Sequence, residues 1–202
     1  MNWWVPEMES PKGVGMGTRK PNRGPAATAS NRAALMSAAR SIFASKGLSA
    51  PLSSIAKKAG VSQGVLYRHF RSRMDLVVAV FDENMEKVDR ALADKAADEL
   101  GFDAAWRKLV ELTMSDVAFI ETAVHSNTDP RIHQLGVDIR NILNPLVAEA
   151  KEAGRLKDET TVETLFLALR AIYGLVATNG EGMAPVGDQV AELLAGLGLS
   201  VR

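Results

Sequence analysis

Residues 62–70 read Ser-Gln-Gly-Val-Leu-Tyr-Arg-His-Phe, a run that mixes groups built for hydrogen bonding with groups built only for packing. A Gln amide sets a donor beside an acceptor, the pattern that pairs bidentately with an adenine edge, and an Arg fork does the same for guanine. Gln63 and Arg68 therefore have the chemistry of base readers, and Val65 suits a thymine methyl. Ser62, Tyr67 and His69 donate well to phosphate oxygens. Gly64 faces outward with them, while Val61, Leu66 and Phe70 have the size and spacing to plug a small core.

Charge placement points the same way. The chain of 202 residues balances 24 Lys and Arg against 24 Asp and Glu, yet residues 1–80 hold 12 basic and only 3 acidic side chains, a local charge of +9. No Asp or Glu falls between Ser10 and Met74, and all 12 of those basic residues do. Such segregation suits a region that lies against a polyanion, either nucleic acid or an anionic membrane surface. Within it, Arg32, Lys57 and Lys58 read as phosphate-facing rather than as an idle solvated surface.

Helices must position these groups. No period-two strand pattern occurs anywhere, so the fold class is all-α. Leu35, Ala39, Ile42 and Phe43 form the apolar stripe of a first helix that starts near Thr28 and is capped by Gly47. Pro51 opens a short second helix that ends at Gly60, and Ser62 caps a third running to about His69. The turn between them is too short for an antiparallel pair, so they cross steeply. Ser72 with Asp75 forms a capping box for a fourth helix that runs on to about Leu100. Beyond it the spacing predicts helices at roughly 103–120, 129–153, 160–178 and 188–197, about nine helices in all. Asp129 caps a Pro130 start, Thr160 with Glu163 makes another capping box, and Pro145 should kink or break its helix.

Taken together, these segments resemble the TetR family of bacterial transcriptional repressors over residues 28–81. The family's first-helix pattern is matched by Ala38-Ala39, Phe43 and Gly47, and its turn by Ile55 to Ser62. Its Leu-Tyr-x-His-Phe run is matched by Leu66 to Phe70, and its fourth-helix start by Ser72-Arg73-Met74-Asp75-Leu76. The resemblance implies that the third helix enters the DNA major groove, with Ser62, Gln63, Gly64, Tyr67, Arg68 and His69 at contact positions. It also matches Arg73 to a phosphate-binding lysine. The chain departs from the family at Val65, where many members carry Thr, and at Ala50-Pro51, where many carry Thr-Thr.

Three parts follow: a disordered basic arm at 1–27, a helix-turn-helix DNA-binding domain at 28–81, and a ligand-binding and dimerisation domain at 82–202. In the arm, Arg19, Lys20 and Arg23 are placed to reach a minor groove or flanking phosphates, whereas Trp3 and Trp4 have no evident role. The Gly13-Val-Gly-Met-Gly17 stretch lacks the strand and the Gly-Lys-Ser/Thr of a phosphate loop. The third part resembles the family's effector domain only through Ala153-Gly154-Arg-Leu-Lys-Asp158. Phe81, Met85, Trp106, Val110, Met114, Phe119, Ile142 and Tyr173 are the candidates to line a pocket for a small hydrophobic effector that releases the operator. Arg170 interrupts the apolar run 164–176 and is open to three readings: reaching solvent, pairing with an acid, or meeting an anionic ligand. That run covers more than one helix face, so with the last helix it is expected to form a two-fold homodimer that reads a pseudo-palindrome.

Other classes fit poorly. With no Cys, thiolate metal sites and cysteine nucleophiles are excluded. His125, Asp129 and His133 follow no zinc spacing, so neither metal nor cofactor is expected. No nucleophile–base pair marks an enzyme. The basic helices have too little apolar bulk for a membrane surface, and a cytoplasmic protein is expected.

Overall fold

Pro25, at the first helical position behind Gly24, starts α1 (Pro25–Lys46), three residues ahead of the expected Thr28. Gly47 ends it at a φ of 71°, a conformation that favours glycine. Then come α2 (Leu52–Lys58), α3 (Gln63–His69) and α4 (Arg73–Ala93). The C-terminal half holds α5 (Gly101–Ser115), α6 (Val117–His125), α7 (Pro130–Glu152), α8 (Val162–Thr178) and α9 (Val186–Gly196). This computed structural model describes residues 24–47, 49–125, 129–180 and 183–201, and among them there is no strand. The arm with Trp3, Trp4, Arg19, Lys20 and Arg23, and the Gly13–Gly17 stretch, lie outside the described residues, as does the side chain of His125.

Capping chemistry acts as the sequence demands at α3 and α4. The Ser62 hydroxyl accepts from the Val65 N–H, and Ser72 and Asp75 form the full capping box. Gly60, at a φ of 68°, makes the turn that lets α2 cross α3. At α8 the box forms one residue later than expected. Thr161 and Thr164 make it, and Thr160 is buried beneath.

Three helix boundaries differ for tertiary reasons. The fourth helix stops at Ala93, not Leu100, because the chain must reverse to lay α5 back on α4. Gly101 permits that return: a Cβ there would stand 2.8 Å from the Leu146 side chain of α7. The expected helix at 103–120 is split at Asp116, whose buried carboxylate accepts from Arg40 and Asn84. Helix α7 runs through Pro145 without a break. Pro145 and Asn141 are both exposed, so the carbonyl that the proline leaves unpaired lies on the solvent side of the helix, where its loss is least costly.

Two apolar clusters result. One joins α1, α2, α3 and the first half of α4 through Leu35, Phe43, Ile55, Leu66 and Leu76, and it also takes in Phe119 from α6. The other joins the second half of α4 to α5, α7, α8 and α9 around Trp106, Leu143, Leu165 and Ile172. The Arg155 motif secures the chain end. Its guanidinium meets Asp103 at 2.8 Å and the Ser200 carbonyl at 2.6 Å, while the Trp106 indole N–H donates to the Leu199 carbonyl at 2.7 Å.

Candidate nucleic-acid interface and ligand cavity

α3 turns Leu66 and Phe70 fully inward, and helical spacing then fixes what faces out. Ser62, Gln63, Gly64, Tyr67 and Arg68 are exposed, with Val65 and His69 half-buried at the edges. Gln63 and Tyr67 form one ridge and Gly64 and Arg68 the next, each pair four residues apart on one face. A Cβ on Gly64 would meet only the Ser62 hydroxyl, at 3.8 Å, so the glycine leaves the first turn of α3 bare for a close approach. Lys57 and Lys58 are exposed at the end of α2 beside it.

The two arginines beside this face behave differently. Arg32 is exposed and stacks its guanidinium 4.8 Å from the Phe70 ring centre, bracing α1 on the end of α3. Arg73 is drawn inward. Its Nη2 donates to the Ala50 carbonyl at 2.9 Å, its guanidinium lies over Phe43 at 5.2 Å, and its Nη1 is buried without a partner. Arg73 thus ties the start of α4 to the α1–α2 connection, where the resemblance implied a phosphate ligand.

The acid-free surface ends at Asp75, and that charge is neutralised. Arg131, at the start of α7, reaches Asp75 at 2.8 Å and Asp129 at 2.9 Å. The Arg131 hydrogen bond holds the Asp75 carboxyl below its ordinary pKa, with backbone and Ser72 bonds adding to it against burial. Asp129 is lowered chiefly by the same arginine. Asp129 also caps α7, as expected, and no group of His, Asp or Glu among the described residues is placed to hold a metal.

Above this unit, α4, α5, α6, α7 and α8 line a mainly apolar cavity of about 680 Å³ that opens to solvent on one side. Of the expected lining, Phe81, Met85 and Tyr173 are there. Burial raises the Tyr173 hydroxyl pKa, and the nearby Glu121 charge adds to it. Trp106 and Val110 are instead buried in the second cluster, Trp106 stacked on Phe102. Phe119 packs into the first cluster, Met114 borders a separate hollow beside Arg40, and Ile142 borders a recess between α4 and α7. The sequence reading missed Asn84, Thr113, Ile120, Leu135 and Ile139 in the wall. Asn84 carried a legible signal. It sits on the stripe Val77, Val80, Val88, where a polar side chain breaks the apolar face. Arg170 is exposed on α8 at the cavity's edge, as its reading toward solvent anticipated.

Residues 35–80 match the family model described as bacterial regulatory proteins, tetR family. The HTH-type transcriptional repressor AcnR of Corynebacterium jeikeium is 29% identical over 182 residues, covering 82% of this chain and 93% of the relative. Residues 35–80 thus carry the tetR-family segment, and the chain is similar to TetR-family regulators well beyond it. The fatty acid metabolism regulator protein of Bacillus subtilis is 27% identical over 154 residues, 70% of this chain and 77% of that one. A solved TetR transcription regulatory protein from Mycobacterium vanbaalenii superposes with a TM-score of 0.54 and 29% identity, covering 74% of this chain and 96% of that one. These relatives are transcriptional regulators, and the likeness runs through residues 35–80, the stretch that holds α2 and α3. No described helix is long and apolar enough to cross a membrane.

Proposed function

We propose that this regulator works in the cytoplasm as a two-fold homodimer, that it represses by holding a pseudo-palindromic operator, and that a small hydrophobic effector in the cavity releases it. The DNA-binding unit is 28–81 and the effector and dimerisation unit 82–202, with the α6 residue Phe119 reaching back into the first core. The observation that carries the reading is the bare outer face of α3, set in an acid-free surface directly below an apolar cavity that shares α4 with it. Gln63 and Arg68 read bases, Val65 touches a thymine methyl, and Ser62, Tyr67, His69, Lys58 and Arg32 hold phosphates around Gly64. Arg73 serves by fixing the start of α4.

Dimerisation through α8 and α9 is supported by their uncovered apolar side chains, Leu167 at 64% exposure and Leu197 at 41%. The name of the Bacillus subtilis relative, a fatty acid metabolism regulator, agrees with an aliphatic occupant for so apolar a cavity. The test is selection of a bound duplex from random DNA, followed by titration at several salt concentrations and light scattering of the free protein. A pseudo-palindromic consensus, a steep salt slope and a dimeric mass are expected. Binding without sequence preference, or a folded monomer at micromolar concentration, refutes the reading.

A further inference from the structure

The cavity wall holds one side chain wired to the DNA-binding unit. Asn84 of α4 is 3% exposed, lines the cavity, and makes three hydrogen bonds on its far side. Its Oδ1 accepts from Arg40 Nη2 at 3.2 Å and from Lys87 Nζ at 3.3 Å, and its Nδ2 donates to Asp116 Oδ2 at 2.8 Å. Cations on the oxygen and a carboxylate on the nitrogen leave the amide one orientation. A primary amide has two N–H groups, and the second of these has no acceptor among the described residues.

We propose that Asn84 reads the effector: the occupant is an uncharged, largely apolar molecule whose single accepting oxygen takes the free Asn84 N–H, and Arg40 relays that contact to α1. This rests on the effector reading above and names the chemistry of the ligand. Asp116, itself 3% exposed, is shared between Asn84 and Arg40, which it holds at Nε across 3.2 Å. Arg40 also grips Glu83 at 3.2 Å, so one guanidinium on α1 joins α4 to the α5–α6 corner. An oxygen that draws the Asn84 amide toward the cavity loosens its bonds to Asp116 and Arg40. The strain then falls on α1, whose apolar face carries α2 and α3.

The charge balance selects an uncharged head group. Glu83 and Asp116 already match Arg40 and Lys87 one for one, and a carboxylate brought beside Asp116 would add a buried, unmatched charge. Arg170, the cation at the cavity's edge, is exposed, so water screens it.

Three probes with one chain and different heads test this: octane, 2-octanone and octanoate, each titrated by calorimetry and then into the complex with a selected operator. The ketone is expected to bind about tenfold tighter than octane, the factor one added hydrogen bond supplies, and to weaken DNA binding. In Asn84→Leu that preference for ketone over alkane vanishes. Asp116→Asn leaves the cavity wall and its amide intact, so the ketone still binds, but its effect on DNA shrinks; this variant carries the test if Asn84→Leu does not fold. Equal binding of ketone and alkane, both releasing DNA, overturns the inference and leaves the effector reading standing. Tightest binding by octanoate, lost in Arg170→Ala, overturns it in favour of the mouth. A ketone preference with no change in DNA affinity refutes the relay together with the effector reading, and binding by none of the three refutes both.

Discussion

Phe119 is the α6 side chain that sits in the core of the DNA-binding unit, and replacing it with Ala tests whether the two halves share that core. The ring is 1% exposed and meets Phe43 of α1 edge to face, with centres 5.4 Å apart. Truncating a buried Phe to Ala costs about 3–5 kcal/mol, of which the aromatic pair accounts for about 0.5–1.5. Against a typical domain stability of about 5–15 kcal/mol, that is about a fifth or more of the whole. Because the ring meets Phe43 and belongs to the cluster that holds Leu35, Ile55, Leu66 and Leu76, the loss belongs to α1–α4 and not to the α5–α8–α9 core.

Urea melts give the total, and hydrogen exchange locates it. Segments 35–43 and 63–70 should lose protection in Phe119→Ala while 102–112 and 165–172 keep theirs. Phe102→Ala, in the other cluster, should show the reverse. DNA affinity should fall in Phe119→Ala without a change in preferred bases, since the face of α3 keeps its side chains. A cost below about 1 kcal/mol, or loosening of 102–112 as strong as that of 35–43, would refute the assignment of Phe119 to the DNA-binding core.

Gln63→Ala and Arg68→Ala should each cost about 1–3 kcal/mol of operator binding and relax the preference at particular base pairs. Tyr67→Phe should weaken all duplexes alike, and a binding-site selection separates the two outcomes. Because the Asp75 carboxyl is held below its ordinary pKa by Arg131, its contribution to stability is complete above about pH 4 and drains away as pH falls toward the lowered folded value. Asp75→Asn should therefore melt with a shallower pH dependence than the parent protein in acid. Arg155→Met alone should cost about 1–3 kcal/mol by stranding half-buried Asp103, and adding Asp103→Leu should restore much of it, as read by urea midpoints.

The first four helices were legible because their signals are local. A cap at Ser62, a left-handed glycine at 60, a box at Ser72 and Asp75, and inward Leu66 and Phe70 each act within one helical turn of their own position. The exposed face of α3 follows from those facts by helical spacing alone. Arg73 was the exception, since its inward course depends on the Ala50 carbonyl, 23 residues away. The cavity was less legible for the same reason. Phe81, Met85 and Tyr173 share apolar character with Trp106, Val110 and Phe119, and only the packing of five helices decides which of them face empty space.

What the local rules missed most clearly is the corner at Asp116. Residues 103–120 are periodic enough to read as one helix, and nothing in their composition asks for a break. The break becomes favourable once Arg40, 76 positions earlier, supplies a guanidinium to a carboxylate that burial would otherwise make costly. Turning the chain there sends Phe119 down against Phe43 and frees the space above, where Ile120 and Thr113 become cavity wall. One long-range ion pair thus helps shape both the joint between the two cores and the cavity above it. A ligand that disturbs that pair through Asn84 acts at the point where the effector half and the DNA-binding half already depend on the same few side chains.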